Sequence, residues 1–314
     1  MSSSCHAEDR EGQRGRATDI ASASCDNRVA AVAMEFSGCS GGALDPLASG
    51  RALHAGFLAL LGQIDPGLAD RLHKSQGAKP FTVALLPTSG NSASRAAPAA
   101  IILRVTSLDS ALSNLLLDES SWLRRILRVR SVEACIGGVT TCASAQALCG
   151  TKTYAELASE GMARARGGKA LSLGLDFVTP TMFRLAESSL MMPLPWPHLV
   201  FQSLEQRWNA FACDGIWINW PIFDRCISIA RHALQTAVVD LGAYRQVGFV
   251  GNVEYIADRE APRSLIEAVH ILGEFARYAG VGAKTTMGMG VAVPFDPRAV
   301  RAQRTTRKCA LVRR

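Results

Sequence analysis

Hydrophobic residues between positions 28 and 136 switch repeatedly between a two-residue and a 3.6-residue period, and the order of those switches restricts the fold more than any other feature. RVAAVAMEF (28–36) predicts a strand buried on both faces. GRALHAGFLALLGQI (50–64) predicts a helix with Leu53, Phe57, Leu60, Leu61 and Ile64 on one stripe. Asp65 and Pro66 suit the cap and first turn of a short second helix, DPGLADRLH. PFTVALL (80–86) and AAIILRVTSL (99–108) read as strands, SALSNLLLDESS (110–121) as a helix and ILRVRSVEACI (126–136) as a strand. The order is β-α-β-β-α-β, a ferredoxin-like unit.

The second half is similar. LSLGLDFVTPTMFR (171–184) reads as a strand and LPWPHLVFQSLEQRWNAFA (194–212) as a proline-opened helix. A helical stretch is expected over 221–237 and a hairpin in YRQVGFVGNVEYIA (244–257). SLIEAVHILGEFARYAG (264–280) predicts a helix with Ser264 as N-cap, Glu267 in a capping box and Gly280 as its stop, before a closing strand in MGMGVAVP. The expectation is an α+β chain of two tandem ferredoxin-like domains, 28–140 and 150–297, joined near 137–151. A leader (1–27) precedes them and a basic tail (298–314) follows.

Hydrophobic residues make up 48% of the 314, yet no apolar run reaches the ~20 residues of a membrane span. The first residues, MSSSCHAEDREGQRGRATD, lack the apolar stretch of a signal peptide, so a cytoplasmic protein is expected. The nine cysteines include no C-x-x-C pair. Cys135, Cys142 and Cys149 recur every seven residues with no histidine among them, so free thiols are expected rather than a metal site. The net charge of +7 is concentrated in the tail. Arg298, Arg301, Arg304, Arg307, Lys308, Arg313 and Arg314 account for it, leaving 27 basic and 27 acidic residues elsewhere.

GVGAKTTMGMG (280–290) puts four glycines and one lysine between a helix end and a strand start. A P-loop or dinucleotide fingerprint has the reverse order, so a nucleotide cofactor is not expected. Two readings stand. Open backbone N–H groups with Lys284, Thr285 and Thr286 make a phosphate cradle, or the glycines allow close packing of the last strand.

Several stretches in order resemble the CRISPR precursor-RNA-processing endoribonucleases of the RAMP superfamily. YAGVGAKTTMGMG resembles the family's C-terminal glycine-rich loop. GRALHAGFLALLGQIDPGLADRLHKSQGAKPFTVALL resembles its first helix, LH segment and following strand. LDFVTPTMFR and PLPWPHLVFQSLEQRWNAF resemble its second-domain signature. The resemblance implies two ferredoxin-like domains and metal-independent cleavage of CRISPR repeat RNA. Attack by the 2′-OH would leave a 2′,3′-cyclic phosphate or 3′-phosphate and a 5′-OH. Such chemistry needs a base, a cation and a proton donor. The resemblance assigns catalysis to His73 in the LH segment with Lys79 assisting, and offers His54 on the first helix as the rival base. His6 lies in the leader, and His198, His232 and His270 read as packing or surface residues of helices.

RNA positioning would fall to Gly280, Gly282, Lys284, Thr285, Thr286, Gly288 and Gly290, and to Arg124, Arg128 and Arg130 on an exposed face. The expected partner is a repeat-RNA hairpin. Further CRISPR effector subunits are additional expected partners, on a monomer or homodimer, with no membrane and no cofactor. The acidic residues are scattered, so no metal site is expected. A non-catalytic RNA-binding subunit of a CRISPR effector complex is the alternative reading.

Overall fold

The computed structural model describes residues 27–87, 101–141, 148–166, 172–185, 188–242 and 244–298, so nearly all of the leader and of the tail lies outside the described residues. The first sheet contains β1 (Arg28–Ser40), β2 (Phe81–Pro87), β3 (Ile101–Ser107), β4 (Ile126–Val129) and β5 (Val132–Thr140). Its order is β2-β3-β1-β5-β4, and β6 (Gly150–Thr153) pairs with the start of β1. With the hairpin β4–β5 taken as the fourth strand, this is the ferredoxin-like order.

Helices α1 (Gly50–Gly62), α2 (Pro66–Lys74), α3 (Ser110–Leu117) and the single turn α4 (Glu119–Trp122) belong to the first sheet. Leu53, Phe57, Leu60 and Leu61 of α1 are buried among Phe81, Val83 and Leu85 of β2, as the stripe predicts. Each such side chain contributes roughly 1.5–3 kcal/mol. Asp65 caps α2 by accepting the Leu68 N–H at 2.8 Å.

The second sheet joins β7 (Ser172–Thr181), β10 (Ile227–Asp240), β11 (Arg245–Ala257) and β12 (Ala292–Phe295) in the order β10-β11-β7-β12. That is again ferredoxin-like. Helices α6 (Pro197–Phe211), α7 (Trp220–Cys226) and α8 (Arg263–Ala279) complete it, α5 (Tyr154–Arg166) packs on α8, and β8 (Phe183–Arg184) with β9 (Met191–Met192) forms a small ribbon.

Four local expectations are corrected. Residues 126–136 are not one strand: the chain turns at Arg130, whose φ is +55°, and β4 pairs back onto β5. The stretch 227–237 is strand, because pairing with β11 from Ile227 to Asp240 outweighs its helical appearance. Residues 245–257 are therefore one strand of that hairpin. Gly248 and Gly251 serve close approach there: a Cβ on Gly251 would lie 2.1 Å from the Ala233 oxygen. Helix α8 starts at Arg263 after Pro262 with no side-chain cap, and Glu267 pairs with Arg263 at 3.0 Å instead of closing a capping box. Cys39, Cys135 and Cys226 are free thiols, whereas the exposed Cys213 departs from expectation and is disulfide-bonded.

The back face of the first sheet packs on the second half. Val29 and Ala31 share a core with α8, and Arg104 of β3 crosses the junction. Its buried guanidinium donates to the Leu148 and Arg277 carbonyls at 2.9 and 2.5 Å, and burial lowers its pKa to about 10.

His270 of α8 is buried, with Nδ1 unpartnered. Desolvation, then Arg164 and Arg298, push its pKa down to about 4 against a smaller opposing pull from Asp296. The unfolded chain therefore takes up the proton first. Its contribution is present above pH 6.5 and lost as pH falls towards 4, a loss of about 3 kcal/mol. Urea denaturation at pH 7.5 and 4.5 should show His270→Gln losing less stability over that interval than the unmodified protein.

Candidate active site

Helix α8 stops at Gly280 (φ +67°), and the chain crosses to β12 through a loop containing one 3₁₀ turn, Thr285–Met287. The Val281 N–H donates to the Gly290 oxygen at 2.8 Å and closes the base of the loop. The Gly282 N–H donates to Ser203 Oγ at 2.9 Å, and Ala283 and Gly290 donate to Met182 and Pro180 at 2.9 and 3.1 Å. Gly288 donates to the Val83 oxygen at 2.9 Å, covering part of the edge strand β2.

The amides of Gly280, Gly282, Gly288 and Gly290 thus all have protein acceptors. Packing explains two of these glycines directly. A Cβ on Gly282 would sit 2.4 Å from the Met182 oxygen, and one on Gly290 would sit 2.2 Å from the Val281 oxygen.

What the loop offers outward is Lys284 and Thr286, both partly exposed, while Thr285 is buried. Lys284 adopts the left-handed conformation (φ 60°, ψ 29°), and its ammonium has no hydrogen bond or ion pair among the described residues. A non-glycine residue held there costs about 1 kcal/mol. Lys284→Gly should therefore raise stability by about 1 kcal/mol in chemical denaturation, whereas Lys284→Ala should leave it nearly unchanged.

The loop lies on α1. A Cβ on Gly50 would meet the Met287 oxygen at 2.6 Å, and His54 follows one turn later. The half-buried His54 ring stacks on Phe81, with centroids 5.8 Å apart and planes 10° from parallel. Its Nδ1 is buried without a partner. Desolvation holds its pKa below the ordinary histidine value. A hydrogen-bonding contact with the Thr286 backbone opposes this, and the positive charges of Lys79 and His73 add to it. The structure therefore brings His54, His73, Lys79 and Thr286 into one electrostatic neighbourhood.

Their environments differ. His73 is exposed in the last turn of α2. Lys79 Nζ donates to the Leu72, His73 and Ser75 carbonyls at 2.9, 2.9 and 2.7 Å, so it closes the C-terminus of α2. Lys79 holds the segment that carries His73.

Two residues absent from the sequence reading hold the loop from α6. Ser203 accepts the Gly282 N–H, and Arg207 donates to the Ala279 and Gly282 carbonyls and to Thr285 Oγ1. Their i, i+4 spacing beside the buried Val200, Leu204 and Trp208 was the available signal. Arg184, Gln202 and Gln206 line a shallow pocket beside Gly282 and Ala283.

Arg124, Arg128 and Arg130 are exposed around β4. Arg124 and Arg130 have positive φ, and Arg128 Nε lies 2.8 Å from Glu133. The remaining described histidines stand apart from the site. His198 Nδ1 lies 2.8 Å from Asp224, His232 lies on β10 rather than a helix, and His270 is in the α8 core. No group of three or more His, Cys, Asp or Glu able to hold a metal ion occurs among the described residues, and no described helix is long and apolar enough to cross a membrane.

Two ferredoxin-like sheets, with a loop from the second seated on a histidine-bearing helix of the first, define a tandem ferredoxin-like α+β protein. A family model described as CRISPR-associated endoribonuclease Cas6 matches residues 175–292, and the Cas6 N-terminal domain matches residues 44–124. A product complex of Cas6 (TTHB231) is similar at 27% identity and TM-score 0.66, covering 86% of this chain and 100% of that one. Thermus thermophilus Cas6 (TTHB231) is similar at 27% identity and TM-score 0.61, covering 85% and 98%. A product complex of Cas6 (TTHA0078), at 24% identity, TM-score 0.65 and coverage of 86% and 100%, shares the fold. No curated protein matches the sequence. The chain belongs to the Cas6 family of CRISPR-associated endoribonucleases.

Proposed function

We propose that this protein cleaves CRISPR repeat RNA in precursor transcripts by metal-independent transesterification, with His54 as the base. The observation that carries this reading is the burial of His54 between Phe81 and the glycine loop, which favours the neutral imidazole a base requires. The imidazole removes the 2′-OH proton as O2′ bonds to phosphorus. The bond from phosphorus to O5′ breaks, and His73, exposed beside the site, supplies the proton that O5′ takes. The products are a 2′,3′-cyclic phosphate and a 5′-OH.

Lys284, whose ammonium has no hydrogen bond or ion pair among the described residues, supplies positive charge to the phosphorane. Arg124, Arg130 and the polar pocket beside Gly282 offer contacts for the flanking strand. Membership of the Cas6 family, and likeness to a Cas6 product complex above 25% identity, support the substrate class.

The test is incubation of repeat RNA with the protein in EDTA, with analysis of both product ends. Site-specific cutting with a cyclic phosphate supports the reading. Tight binding without cutting in any buffer would leave a non-catalytic RNA-binding subunit. Lys284→Gly should weaken RNA binding and lower the slope of log affinity against log salt by about 1.

A further inference from the structure

The geometry points to Arg207 as a positioning residue: by holding Ala279, Gly282 and Thr285 together, it seats the glycine loop on α1 and so fixes Thr286 against His54. This rests on the reading of His54 as the base, but its structural part can be tested without RNA.

Arg207 lies on α6, in the second half of the chain, and His54 lies on α1, in the first. Its Nη1 donates to the Ala279 oxygen at 3.2 Å, at the C-terminus of α8. Its Nη2 donates to the Gly282 oxygen at 3.1 Å and to Thr285 Oγ1 at 3.0 Å. These acceptors bracket the sharp exit from α8 and the start of the 3₁₀ turn. One rigid planar fork therefore fixes two points of the loop relative to a helix end.

Thr285 is buried, and two residues on, Met287 lies against α1, where a Cβ on Gly50 would meet its oxygen at 2.6 Å, one turn from His54. From α6, Ser203 adds the bond to the Gly282 N–H. From the first half, Val83 accepts from Gly288. Without the Arg207 fork, Ser203 alone ties the loop to α6, Thr285 loses its anchor, and the 3₁₀ turn lifts to open His54 to water. Lysine cannot replace it, because a single ammonium cannot reproduce the fork.

The charged groups that face His54 are Lys79 and His73, and both remain in place when Arg207 changes. Opening the loop removes desolvation, the largest cause of the lowered His54 pKa, together with the smaller opposing Thr286 contact, so a net rise would report the loop. The experiment is an imidazole NMR titration of the RNA-free protein, comparing the unmodified chain with Arg207→Gln and Arg207→Lys. Both variants should move the His54 midpoint upward towards 6.5. In single-turnover cleavage, Arg207→Gln should lower the rate about 100-fold at saturating protein, with a much smaller change in RNA affinity.

A folded Arg207→Gln protein with an unchanged His54 titration overturns the proposal, as does full rescue by lysine. Should the glutamine variant not fold, Thr285→Val removes one acceptor with little change of shape. An unchanged His54 midpoint in that variant overturns it equally. Failure of the unmodified protein to cut RNA would instead count against the nuclease reading and leave the titration result standing.

Discussion

Replacing His54 by alanine is expected to slow cleavage of repeat RNA by about 10²- to 10⁴-fold, the usual contribution of a positioned base. The RNA affinity should change little, because in the proposed mechanism Lys284 and the arginines, not His54, meet the phosphates. His54→Asn retains polarity and more of the volume, so it separates loss of the base from a cavity beside Phe81. The pH profile adds an independent check. A base must be neutral, and burial disfavours its protonated form, so the acid limb attributable to His54 should lie below 6.5. Cleavage at an undiminished rate in His54→Asn would remove His54 from the mechanism and return the base to His73.

The glycines of the loop should separate sharply when each is replaced by alanine. Gly282→Ala and Gly290→Ala each drive a Cβ against backbone, 2.4 Å from the Met182 oxygen and 2.2 Å from the Val281 oxygen, at φ values of +79° and +75°. Neither oxygen can move without shifting the strand or the base of the loop. A loss of more than about 3 kcal/mol is expected for each, from overpacking combined with a disfavoured backbone. Gly288 has a similar φ of +88° but only the Pro46 oxygen nearby, at 3.8 Å, so Gly288→Ala should cost about 1 kcal/mol. Thermal or urea denaturation of the three variants tests the ordering. Equal losses at all three would mean that backbone conformation alone, and not close packing, requires glycine here. The same distances show that RNA binding by a Gly282→Val variant reports misfolding before it reports phosphate contact.

The first half of the chain was legible because local period and burial agree there. The stripe of α1, the Asp65–Pro66 start of α2 and the doubly buried β1 are all present in the structure. Disagreement came where partners distant in sequence decide. Residues 227–237 have apolar spacing that suits a helix, but β11 supplies a ladder along the whole segment. Arg130 gives no glycine or asparagine signal, yet it adopts positive φ because β4 must return onto β5.

The candidate site divides in the same way. Sequence alone determined the α+β order of elements, the Cas6-like motifs, and which histidines, lysines and glycines deserved scrutiny. Hydrophobic period, caps and motif spacing are properties of neighbouring residues. Only the tertiary structure decided that His54 lies under the loop, that Lys79 closes α2, and that Arg207 holds the loop from the other half. Those roles depend on desolvation and on hydrogen bonds between residues far apart in sequence, such as Arg207 and Thr285, 78 positions apart. No local pattern encodes the burial of a side chain by a segment that arrives more than two hundred residues later.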